Sequence, residues 1–169
     1  LAQRDVHLQA VVVDDGSAPE HADIVNAAVA GAGGRASLVR LPSRPAGHGP
    51  SFARNSGAAQ SKSRFIAFLD DDDEWADNGH LARCLASMSA APKPADLLFG
   101  DQRAVLHDGS EHPGPIWFRG MEQGLAPCDP QGAYVAPIDR LLAMGTLCHL
   151  NATVIRRSLF EQLGGFDER

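Results

Sequence analysis

Two short apolar runs in this sequence of 169 residues each stop in a cluster of carboxylates. Val11-Val12-Val13 runs into Asp14-Asp15-Gly16-Ser17, and Phe65-Ile66-Ala67-Phe68-Leu69 runs into Asp70-Asp71-Asp72-Asp73-Glu74. Carboxylates packed this closely repel one another and resist joint ionisation. A hard divalent cation relieves that repulsion, taking one or two carboxylates and completing its shell with water and phosphate oxygens. An Asp-x-Asp pair at a strand end therefore suits Mg²⁺ or Mn²⁺ bridged to a diphosphate, where the ion offsets charge building on a phosphate leaving group. Taken alone, an acidic run is more often a solvated loop, and Asp14-Asp15-Gly16-Ser17 reads equally well as a turn with a helix cap. Placement directly after apolar runs is what singles the two clusters out. A calcium loop of the EF-hand kind is excluded, because the run lacks the glycine and the closing glutamate that such a loop requires.

These carboxylates need elements to hold them. An unbroken β-branched run marks a strand buried on both faces, which places a strand at residues 9–13. Ile24, Val25, Ala28 and Val29 recur at helical spacing and predict an amphipathic helix over residues 21–32, capped by Ser17 or Asp15 and ended by Gly31, Gly33 and Gly34. Residues 37–41 are a second strand candidate, and residues 42–50 form a Pro/Gly-rich loop containing His48. Ala53, Ser56, Gly57 and Ala58 suit a helix over residues 51–60 that lies close against a sheet. Residues 65–69 read as strand. Asn78 is placed to cap a helix carrying Leu81, Leu85 and Met88, which Pro92 and Pro94 close. Residues 96–106 read as strand with a turn at Asp108-Gly109, residues 110–137 as a long loop, and residues 152–155 as a last strand. Ser158 and Glu161 have capping-box spacing, which opens a short helix ending at Gly164-Gly165. The alternation of strand and helix predicts an α/β layered fold with a mainly parallel sheet. Ligands of such sheets bind beyond the carboxyl ends of the strands, so both acid clusters are expected on one edge, with converging carboxylates if the strands are near neighbours.

Composition narrows the function. The net charge of −6 argues against a general nucleic-acid binder, which needs a basic face. Much of the acidity sits in residues 70–74, so the charge is local. The length suits one domain, and 44 % apolar residues are ordinary for a globular protein. No stretch approaches the roughly 20 unbroken apolar residues of a membrane span, and Arg4, Asp5 and His7 argue against a signal peptide. Cys84, Cys128 and Cys148 are widely spaced and odd in number, which predicts reduced thiols in a cytoplasmic protein. His107 and His112 are expected on an exposed loop, and His149 in ordinary packing, with a place facing the donor site as the less favoured alternative. Asn151-Ala152-Thr153 fits a glycosylation sequon that a cytosolic enzyme would not use.

Four segments resemble the signatures of glycosyltransferase family 2. Residues 11–17 resemble its VVDDGS strand end, and Ala53-Arg54-Asn55-Ser56-Gly57 its ARNxG helix. Residues 68–75 match its FLDxDDxW segment with the Asp-x-Asp motif, and Gly164-Gly165-Phe166-Asp167-Glu168 its GGFDE turn. Each is modest alone, whereas four in the family's order are specific; residues from about 100 to 150 are not diagnostic. The resemblance implies a GT-A fold, a Rossmann-like three-layer sandwich, and transfer of a hexose or similar sugar from a UDP- or GDP-sugar with inversion, in the manner of enzymes that build cell-surface polysaccharide. By position, it implies that Asp14 binds the donor base and Asp15 supports that loop. Arg54 would lie near base and diphosphate, Asp70 would face ribose or sugar, and Asp72 would be the principal ligand of Mn²⁺ or Mg²⁺. Asp73 and Trp75 would be structural.

The family's first strand, with its PTYNR-like segment, is expected before Leu1, and its general base beyond Arg169. The chain is thus read as one partial domain over residues 1–169, truncated at both ends, with its catalytic base unassigned. The acceptor would be a saccharide or a lipid-linked sugar, and the location cytoplasmic or peripheral at the inner membrane face. Two rival readings are a catalytically silent donor-binding or interaction module and a nucleotidyltransferase-like enzyme. The second lacks any glycine-rich phosphate loop in this sequence.

Overall fold

A computed structural model describes residues 2–112, 120–144 and 149–169. In chain order the elements are β1 (Ala10–Asp14), α1 (Pro19–Gly31), β2 (Ala36–Arg40), α2 (Pro50–Gln60), β3 (Phe65–Ala67), α3 (His80–Ala90), β4 (Leu97–Phe99), α4 (Ile138–Met144), a 3₁₀ turn (Leu150–Ala152), β5 (Thr153–Arg156) and α5 (Arg157–Gln162). They fall into two compact units. The first comprises Leu1–Ile66 with Arg156–Arg169, and the second Ala67–Ile155.

In the first unit β1 and β2 pair in parallel, Ala10 opposite Ala36 through Asp14 opposite Arg40. Helix α2 packs on β1 and α1 on β2. The close approach expected of the small residues on α2 is present: a Cβ added to Gly57 would lie 3.0 Å from Val13 Cγ2. The expectation that β1 is buried on both faces is corrected, since Val12 is 37 % exposed. Alternation places Val11 and Val13 on one face and Val12 on the other. Helix α1 lies where its spacing predicts, yet none of its residues is buried. Ala22, Val25 and Val29 are half-buried while Ile24 is 67 % exposed. A step of one residue turns a helix by about 100°, which carries Ile24 off the covered face.

Neither Ser17 nor Asp15 caps α1, whose N-cap Ala18 is followed directly by Pro19. Proline's fixed φ suits the first helical position and its missing N–H costs nothing there. The capping box proposed for α5 is also absent. Its start has no side-chain cap, and Glu161 pairs with Arg157 one turn earlier. The helix does end at Gly164 and Gly165, both at positive φ, with the Gly165 N–H donating to Phe160 O.

The second unit holds most of the buried apolar side chains among the described residues, including Phe68, Leu81, Cys84, Met88, Met121 and Val154. On α3 the covered face is Leu81, Cys84, Ser87 and Met88, with Leu85 only half-buried. Asn78 does not cap α3. The Asp77 carboxylate accepts from the Gly79 N–H instead, at 2.8 Å. The buried Ser87 hydroxyl donates to Asp129, whose other oxygen accepts from the N–H groups of Gln131 and Ala133. The strand expected over residues 96–106 is only Leu97–Phe99, and it pairs antiparallel with β5. The turn at Asp108-Gly109 is present, closed by a bridge between Val105 and Glu111.

An α/β arrangement with a small parallel sheet is therefore present. The described strands form a two-stranded parallel sheet of β1 and β2 and a three-stranded sheet in the order β3-β5-β4, in which β4 and β5 run antiparallel. Replacing Gly57 with leucine should push α2 off β1. The unfolding midpoint in urea should then drop by an amount equivalent to about 1–3 kcal/mol, the usual cost of overpacking; an unchanged midpoint would show that α2 does not press on Val13.

Candidate functional site

Asp14 ends β1 with both carboxylate oxygens engaged. Oδ1 accepts from the Ser17 N–H at 2.8 Å and the Gly16 N–H at 3.2 Å, and Oδ2 receives the Arg40 Nε–H at 3.3 Å. These donors, the Ser17 N–H foremost, hold its carboxyl below the ordinary carboxylate range. The bond to Arg40 fastens β1 to the end of its neighbour strand. Arg40 also reaches Asn26 on α1, 3.1 Å away.

Asp15 turns toward the loop between β2 and α2. Its Oδ1 lies 2.7 Å from His48 Nδ1, and Oδ2 accepts from the N–H groups of His48 and Gly49 at 2.7 and 3.0 Å. The loop wraps the carboxylate tightly enough that a Cβ on Gly47, at φ +66, would fall 2.9 Å from Oδ2. The His48 side-chain bond is the leading reason why the Asp15 carboxyl titrates below its ordinary value.

One turn into α2, Arg54 is half-buried and Asn55 faces the Gly164-Gly165 turn. Asn55 Oδ1 accepts from the Phe166 N–H at 2.9 Å. Its Nδ2 donates to Phe166 O at 2.9 Å and to Glu168 Oε1 at 2.7 Å. Gly165 is needed here twice over: its φ is +77, and a Cβ would sit 2.6 Å from Asn55 Oδ1. A hollow of about 260 Å³ in this unit is lined by Asn55, Ile66, Phe160 and Glu168 among others, and by none of Asp14, Asp15 or Arg54. Asp167 pairs with Arg169, which agrees with its reading as part of the turn.

The acid run lies in the second unit. It does not follow a strand directly, because β3 stops at Ala67 and the buried Phe68 and exposed Leu69 intervene. Its anchor is Asn151, a buried residue of the 3₁₀ turn. Asn151 Oδ1 accepts from the Asp70 N–H at 3.1 Å, and Nδ2 donates to Asp70 Oδ2 at 3.3 Å and to Asp73 Oδ2. The Trp75 indole N–H donates to Asn151 O at 2.8 Å, and the ring stacks on His80. Asp71, Asp72 and Glu74 are exposed, and no hydrogen bond or ion pair joins their carboxylates to other described residues. No group of three or more His, Cys, Asp or Glu gathers into a metal cage among the described residues. An open carboxylate in a pinned turn fits a cation that keeps its waters and shares a diphosphate, and does not fit an all-protein site.

Sequence reasoning named Asp14, Asp15, Arg54, Asp70 and Asp72. It missed the residues that fasten the loops and turns: His48 on Asp15, noted only as part of a loop, Asn55 on the Phe166 turn, quoted only as a motif letter, and Asn151 on Asp70, taken as half of a sequon. Elsewhere, burial pushes the Cys84 thiol up to about 11, which makes it inert at neutral pH. Cys128 is free as well, and Cys148 lies outside the described residues. His107 and His112 are exposed as expected.

The family described as "Glycosyl transferase family 2" matches residues 1–136. Among curated proteins, the chain is similar to an uncharacterized glycosyltransferase of Haemophilus influenzae (strain ATCC 51907 / DSM 11121 / KW20 / Rd). The two are 32 % identical over 73 residues, which cover 43 % of this chain and 28 % of that protein. The chain thus matches little more than a quarter of that relative's length. No solved structure matches it.

Asn55→Ala should lower the urea midpoint by the equivalent of about 1–3 kcal/mol, because the Phe166 N–H loses its acceptor; a midpoint within error of the wild type would refute the clasp. Asp15, with its depressed carboxyl, contributes stability that is complete above its ordinary value of 3.8 and lost as pH falls through the folded value. Between about pH 5 and about pH 2, Asp15→Asn should therefore lose less melting temperature than the wild type. Parallel curves would remove Asp15 from the acid response.

Proposed function

This chain belongs to glycosyl transferase family 2, and from that premise we propose that it moves a sugar from a nucleoside-diphosphate donor to an acceptor hydroxyl with inversion. Asp14, Asp15 and Arg54 serve the nucleotide, Asp70 the ribose or sugar, and Asp72 the divalent ion. The reading extends to a hexose from UDP or GDP as donor, and to a saccharide or lipid-linked acceptor of the kind used in cell-surface polysaccharide. No helix among the described residues is long and apolar enough to cross a membrane; work at the inner membrane face is part of the proposal.

The observation that carries the reading is the contrast within the acid run. Asp70 and Asp73 are bonded to Asn151, whereas Asp72 is exposed and has no partner among the described residues. A turn that spends two carboxylates on its own shape leaves Asp71, Asp72 and Glu74 open, and the Asp-x-Asp spacing that starts at Asp70 picks out Asp72 among them. Asp72 would hold Mg²⁺ or Mn²⁺, and the ion would supply Lewis-acid stabilisation of the departing phosphate. The chain's own part is preorganisation. Asn151 fixes the Asp70 backbone and carboxylate, so little of either must be ordered when donor binds. The acceptor proton passes to a carboxylate base that none of these residues supplies.

Calorimetric titration of the full-length protein with UDP and GDP, with and without Mn²⁺, tests this. Binding should depend on Mn²⁺, and Asp72→Ala should weaken it by about tenfold or more and remove the dependence. Unchanged binding in that variant would overturn the metal assignment, and no binding by the wild type would overturn the donor class.

A further inference from the structure

His48 holds Asp15 through Nδ1, and neither the family signatures nor that contact gives a role to the rest of its ring. It lies on the loop that leads from the carboxyl end of β2 to α2, at the ligand edge of a parallel strand pair. Its ring is stacked on Phe52, with centroids 4.7 Å apart and planes 24° apart, and its side chain is only 12 % exposed. Nδ1 sits 2.7 Å from Asp15 Oδ1. An ionised carboxylate only accepts hydrogen bonds, so Nδ1 carries the proton. In the neutral ring that leaves Nε2 as a bare acceptor. Nε2 has no hydrogen-bond partner among the described residues, and it is not among the side-chain atoms sealed from solvent without one.

Asp15 is differently placed. All three of its bonds go to the loop, so its carboxylate is spent on shape, and what it presents outward is an oriented imidazole. We propose that His48, with its ring neutral, reads the donor's base through Nε2, accepting a hydrogen bond from a ring N–H. Uracil and guanine offer such an N–H on the pairing edge, whereas cytosine and adenine offer a lone pair there. A lone pair facing Nε2 leaves two acceptors opposed, which costs about as much as losing one hydrogen bond. This inference rests on the nucleotide-sugar reading and deepens it: Asp15 becomes a positioning residue, and His48 joins Asp14 and Arg54 at the nucleotide, where it selects the base.

The test is calorimetric titration of the full-length protein with UDP, GDP, CDP and ADP in Mn²⁺, and with inorganic pyrophosphate in Mn²⁺ as a probe without a base. The variants are His48→Ala and His48→Phe; the phenylalanine keeps a ring against Phe52, and melting curves confirm that both fold. The wild type should prefer UDP or GDP over CDP and ADP by about tenfold. Both variants should lose that preference while pyrophosphate binds as before. A wild type without preference, or variants that keep it, would overturn the inference and leave the transferase reading intact. A parallel loss of pyrophosphate binding would overturn it in favour of a phosphate contact. If the wild type binds no nucleotide at all, both readings fall together.

Discussion

Three donors converge on the carboxylate of Asp15, and its place in the chain makes that arrangement decisive. The residue sits just beyond the end of β1, where a carboxylate has two possible uses. It can meet a ligand, or it can hold the loop from the neighbouring strand. With the Nδ1–H of His48 and the backbone N–H groups of His48 and Gly49 gathered on it, it does the second. The same logic recurs at Asn55, which fastens the turn at Phe166, and at Asn151, which fastens the turn at Asp70. Loops carry binding chemistry because they are free to vary, and they are useful only when something rigid fixes them. In this chain the fixing is done by polar side chains, each bonded to backbone as well as to a side chain.

That division of labour explains why the acid run tolerates its own charge. Five consecutive acidic groups in residues 70–74 would repel one another if they shared one small space. Two of the carboxylates turn toward the Asn151 amide, which donates to both, and the others face water, where repulsion is screened. No buried cation is required to hold the turn together. An ion arriving with a diphosphate would meet an open carboxylate without first displacing an internal partner.

The parts of this architecture legible in the sequence are those set by neighbouring residues. The β-branched run at Val11, the small residues near Gly57, the paired glycines at 164 and 165 and the four family motifs all report on structure within a few positions. What stayed illegible depends on partners far along the chain. Asn151 lies 81 positions from Asp70, and Asn55 lies 111 from Phe166; no periodicity marks either pairing. The misplaced caps have another cause. Ser17 looked like a cap because of its type, but its side chain is bonded to Asp14, three residues earlier, and Pro19 began the helix without help. The short β3 and the antiparallel β4 follow from pairing, which an apolar run cannot announce.

Because residues 156–169 complete a unit that residues 1–66 begin, the order of synthesis poses a problem of timing. As the chain leaves the ribosome at roughly 5–20 residues per second, β1, β2 and α2 emerge well before the turn that Asn55 holds. For several seconds that asparagine and the apolar side chains beside it have only water, or a chaperone, for company. Contacts that close so long a loop form late and slowly. Until that turn arrives, the first unit stays half-built.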